Sequence, residues 1–89
     1  MNAIITVVGQ DSKGIIAKVS AKCAEAGANI LEISQSILKE YFAMIMLVEL
    51  DNLKGDFAAF ATAMQKSGKE NGVDIRVMHE DIFNSMHRI

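Results

Sequence analysis

The sequence predicts an α+β sandwich in which a four-stranded antiparallel sheet carries two helices on one face. Three observations lead there. Apolar periodicity switches between about 2 and about 3.6 residues in the order strand, helix, strand, strand, helix, strand. Six glycines, at 9, 14, 27, 55, 68 and 72, punctuate a chain that has no proline. At 89 residues the chain has room for one domain.

Ala3 to Val8 is a continuous apolar and β-branched run. A strand apolar on both faces belongs in the middle of a sheet. Gly9 to Gly14 is a short polar loop. Ile15, Ile16, Val19, Cys23 and Ala26 then follow at the spacing of one helix face. Asp11 or Ser12 is the expected cap of that helix, and Gly27 its stop. Asn29 opens a second strand, in which alternation sets Leu31, Ile33, Gln35 and Ile37 against Ile30, Glu32, Ser34, Ser36 and Leu38. Its polar centre suits an edge. Lys39-Glu40 makes a tight turn into a third strand, Tyr41 to Leu50, with Phe42, Met44, Met46, Val48 and Leu50 on one face.

Asp51 to Gly55 reads as a loop. Phe57, Phe60, Ala61 and Met64 mark a second amphipathic helix ending near Gly68 or Gly72. Val73, Ile75, Val77 and His79 alternate with Asp74, Arg76, Met78 and Glu80 in a fourth strand. Ile82, Phe83, Met86 and Ile89 recur at helical spacing, so the tail predicts a short extra helix that could cover a sheet edge or a partner. The expected division is a domain over 1–80 and a helical tail over 81–89. This is the ferredoxin-like arrangement, and right-handed crossovers favour strand order 4-1-3-2. That order puts the apolar first strand at the centre and the polar-centred second strand at an edge.

Composition adds a partner. Hydrophobic residues make up 51% of the chain and mean hydropathy is +0.22, apolar for so small a domain. Either the core is very efficient or some of that surface is buried against a partner, and a self-associating domain is the first expectation. Nine Lys+Arg against eleven Asp+Glu give a net charge of −2 with no basic run, which argues against nucleic acid. No apolar run approaches the ~20 residues of a membrane span. No basic segment precedes an apolar run at the start, and Cys23 is the single cysteine; both point to a cytoplasmic protein.

Several activities use this fold, and each leaves a mark. A heavy-metal carrier needs C-x-x-C, which is absent. An RNA-recognition module needs aromatics on its central strands, and the first strand has none. An acylphosphatase-type enzyme needs an arginine beside its phosphate loop, whereas Arg76 and Arg88 are remote from Gly9–Gly14. His79 and His87 lack metal-ligand spacing. Cys23 falls on an apolar helix stripe and reads as a core thiol. Methionines 44, 46, 64, 78 and 86 read as core filling, and Glu25 and Glu32 pair with no partner at a set distance. The expectation is no metal, no cofactor and no catalytic site. The Gly9–Gly14 loop is the informative segment. It meets a helix N-terminus, where free N–H groups attract carboxylate or phosphate, although neither a P-loop nor G-x-G-x-x-G is present.

Together, Val8-Gly9-Gln10-Asp11-Ser12-Lys13-Gly14-Ile15-Ile16 and Glu25-Ala26-Gly27-Ala28-Asn29-Ile30 resemble the ACT domain, a small regulatory module of amino-acid metabolism. The matching pattern is G-x-D-x-x-G-I after a strand, then G-x-N-I opening the next. The chain looks like the stand-alone bacterial and archaeal members, near the glycine-cleavage repressor type and the N-terminal domain of formyltetrahydrofolate deformylase. Many members have proline where this chain has Lys13. The resemblance implies side-by-side pairing through strand edges and helices, and an amino acid bound between protomers. It assigns the ligand carboxylate to the loop Asp11, Ser12, Lys13, Gly14 and Ile15, and the ligand amino group to Asn29 with Ile30 beside it. The function so implied is allosteric regulation of a metabolic partner by a sensed amino acid or related metabolite. The alternative is a ligand-free dimerisation or protein-interaction module.

Overall fold

The computed structural model describes residues 1–10 and 13–86. Its elements run β1 (Asn2–Gly9), α1 (Ile15–Ala26), β2 (Asn29–Leu38), β3 (Tyr41–Glu49), α2 (Phe57–Glu70), β4 (Asp74–His79) and α3 (Glu80–Met86). The sheet order is β2-β3-β1-β4, with every neighbouring pair antiparallel. This is the expected 4-1-3-2 order read from the other side. β1 is central, as its unbroken apolar run requires.

Register sorts the side chains into two faces. Ala3, Ile5 and Val7 of β1 lie beside Val48, Met46 and Met44 of β3, and all are buried. Ile15, Val19 and Cys23 of α1 and Phe60 and Met64 of α2 close over this row to form one core. The other face carries Ile4, Thr6 and Val8 beside Leu47, Ile45 and Ala43. Simple alternation fails in β2. The pairing shifts between Ile30 and Glu32, leaving Leu31 as a bulge. Ile30 therefore joins Ile33, Gln35 and Ile37 on the helix side, opposite Val48, Met46, Met44 and Phe42. The expected grouping of Ile30 with Glu32 is corrected by that one extra residue.

Local signals set the helix ends. Asp56 caps α2 by accepting from the Ala59 N–H at 2.7 Å. Gly27 ends α1 in the left-handed region (φ 85°), donating to the Ala24 carbonyl, while Ala28 N–H reaches Cys23 O at 2.9 Å. At the start of α1 the N-cap position belongs to Gly14, which offers no side-chain cap. The capping expected of Asp11 or Ser12 falls outside the described residues.

The tail begins its helix at once. β4 ends at His79 and α3 starts at Glu80 with no intervening loop. α3 lies over the face opposite α1 and α2, where Phe83 and Asn84 share a cavity with Ile4, Ile45 and Leu47. Ile82 and Met86 are exposed, and Ile89 lies outside the described residues.

Candidate functional site

The candidate site is built from both ends of the sheet. Asn2, Glu49 and Asn29 line up across β1, β3 and β2 at one end; Gly9, Phe42 and Ile37 line up at the other. Eight residues of strand at ~3.4 Å each put these ends roughly 25 Å apart. The loop after Gly9 leads into α1 at the second end. There Gly14 holds φ 76° and is exposed, and its carbonyl accepts from Lys18 N–H at 3.1 Å. Lys13 is exposed on the turn. Ile15 is 4% exposed and serves the core. Asn29 is exposed and Ile30 half-buried at the first end. Asp11 and Ser12 lie outside the described residues. Thus one protomer gathers Lys13, Gly14 and Ile15 but holds Asn29 and Ile30 at the far end of the sheet.

The unpaired edge of β2 is apolar. Ile33 is 44% and Ile37 68% exposed although both face the helix side, and Leu38 beside the turn is 73% exposed. The sequence located the excess apolar surface only in total.

Of the other candidate groups, Cys23, His79 and three of the methionines take structural places. Cys23 is fully buried, and desolvation pushes its thiol up from 9.0 to about 11. Because the folded value lies above the unfolded one, the stability linked to this thiol is present below pH 9.0 and is lost as pH rises through about 11. Alkylation of the native protein near pH ~8 is therefore expected to be far slower than in urea and to follow global opening. Labelling at the same rate in both states would show that the thiol is accessible. His79 is half-buried and stacks on Phe57 with ring centroids 4.3 Å apart. His87 lies outside the described residues. Glu25 and Glu32 are exposed, and the described residues contain no group of three or more His, Cys, Asp or Glu able to hold a metal. Met44, Met46 and Met64 fill the core and Met78 is half-buried. Met86 corrects the core-filling expectation, since it is 66% exposed on α3. No helix among the described residues is long and apolar enough to cross a membrane.

The sheet order and the two helices on one face define a ferredoxin-like α+β domain. The family model for the ACT domain matches residues 2–78. The chain belongs to the ACT domain family, whose members are generally regulatory ligand-binding domains. It is 52% identical over 86 residues to the UPF0237 protein of Methanocaldococcus jannaschii, covering 97% of this chain and 96% of that one. In structure it is similar to an ACT domain protein from Streptococcus pneumoniae, with a TM-score of 0.83, 45% identity and 98% of both chains covered. A formyltetrahydrofolate deformylase from Pseudomonas syringae matches 86% of this chain with a TM-score of 0.77 and 26% identity. There the match spans 26% of the longer protein.

Proposed function

We propose that two copies of this chain pair through their β2 edges and bind a small amino acid or related metabolite between them, regulating a metabolic protein partner. The observation that supports this is the separation just described. Asn29 and the Gly9–Gly14 loop stand at opposite ends of one protomer's sheet. Two-fold antiparallel pairing of β2 with itself brings residue 29 of one copy opposite residue 38 of the other. That is the end from which the other copy's loop departs. Backbone N–H groups at the start of α1 then meet a ligand carboxylate, and the Asn29 side-chain oxygen meets its ammonium. The same pairing covers Ile33 and Ile37. A ligand gripped by both copies favours the dimer geometry that fits it, and this difference in affinity is what a partner reads.

A thermal-shift screen against the amino acids and common one-carbon metabolites tests the reading, with light scattering reporting the oligomer. A ligand at about a hundred times its Kd stabilises by about 2.7 kcal/mol, a shift of roughly 10 °C or more for a domain of this size. Asn29→Ala is expected to remove the shift and leave the dimer. Ile33→Lys with Ile37→Lys is expected to give a monomer with no shift. A dimer indifferent to every metabolite sinks the sensor and leaves a protein-interaction module. The exposed Ile82 and Met86 of α3 favour that second reading.

A further inference from the structure

We propose that the cavity under α3 is a second, separate small-molecule site that takes a primary alkyl ammonium: a positively charged amine on a short aliphatic body.

The cavity measures about 210 Å³ and lies on the sheet face opposite α1 and α2. Its floor is Ile4, Ile45 and Leu47, three residues that the register sets side by side across β1 and β3. Phe83 of α3 stands over them. Glu32 from β2 and Glu80 from α3 both line it, and Glu80 also attracts the Met1 ammonium in the neighbouring corner. Ser34 and Asn84 complete the polar lining. Among the described residues that line it there is neither lysine nor arginine.

Each part selects a feature of the ligand. The aliphatic floor and the aromatic ring remove an alkyl chain from water. Two carboxylates lining one cavity favour a cation, and charge-assisted hydrogen bonds to N–H donors are the strong ones. A zwitterionic amino acid carries a carboxylate into the same acidic cavity and is disfavoured by like-charge repulsion. The volume is below the usual ~300 Å³ of a drug-sized pocket, which limits the occupant to a handful of non-hydrogen atoms. Glu80, Phe83 and Asn84 lie beyond the 2–78 span of the ACT match. Glu32, Ile33 and Ser34 of the β2 edge also line the cavity, so its test leaves Ile33 and Ile37 unchanged.

The experiment is an NMR titration of the full chain with isobutylammonium, set beside isobutanol, valine and calcium chloride. Isobutylammonium is expected to shift the amides of Ile45, Leu47 and Phe83 saturably, with a Kd on the order of 1 mM, as befits so small a ligand. Replacing both carboxylates (Glu32→Gln with Glu80→Gln) preserves shape and is expected to weaken binding about tenfold. Phe83→Leu is expected to weaken it less and to leave the preference for charge intact. Four outcomes overturn the proposal: no saturable shift, equal binding by isobutanol or valine, equal binding by the Gln variant, or a response to calcium alone. A flat thermal-shift screen against amino acids leaves this result untouched, so the two sites fail separately.

Discussion

Gly27→Ala is expected to lower stability by about 2–4 kcal/mol, measured by urea unfolding of the variant beside the parent. Two effects add. Gly27 holds φ 85°, where an L side chain is strained whatever room it has. A Cβ placed there also falls 2.2 Å from the backbone oxygen of Asn52, which cannot turn aside as a side chain would. The loop is fixed at this point, since Lys54 N–H donates to Ala26 O at 2.8 Å. Gly14→Ala is the internal control. Its φ is 76°, but no described residue lies within 4 Å of the added carbon, so among them only the backbone strain of about 1–2 kcal/mol applies. Equal losses at the two positions would mean that the close approach to Asn52 is absent.

The second large effect is Ile5→Ala, with an expected loss of about 2–5 kcal/mol. Ile5 is fully buried on the central strand, between Met46 and Val77 across the register. Alanine removes apolar contact and leaves a void that a flat sheet under two helices closes poorly. In a domain of this size that lowers the melting point by roughly 10–25 °C. Ile45, on the opposite face and 44% exposed, is the comparison. Ile45→Ala is expected to change stability by about 1 kcal/mol or less. A similar loss at both positions would place the core on the wrong side of the sheet.

The order of elements was legible because each carries its own period and its own stop. Ala3 to Val8 announced a central strand, Phe42 to Leu50 a single buried row, and Gly27 a helix end. Two things were not legible. One was the bulge at Leu31. A single inserted residue leaves composition unchanged and moves Ile30 to the other face, so a strict period of two misassigns it. The other was distance. The motif that names Gly14 and Asn29 carries no distance; that they sit at opposite ends of the sheet follows from the helix that returns between the two strands, and the register measures it. The tail showed the mirror of this problem. Ile82, Phe83 and Met86 gave the helix correctly, but periodicity ranks them alike. The junction at Glu80 decides that Phe83 turns toward the sheet while Ile82 and Met86 stay exposed.

That junction also governs how α3 moves. No loop residue separates His79 from Glu80, so any swing of the helix is absorbed at that one junction, where His79 is still paired with Ala3 of β1. The seven described residues of α3 are also too few to stay helical without support. An α3 lifted off the sheet is therefore expected to unwind. Its helical content is a thermometer for the face it covers: whatever binds beneath it freezes the winding, and whatever displaces it is met by an unwound chain rather than an open door.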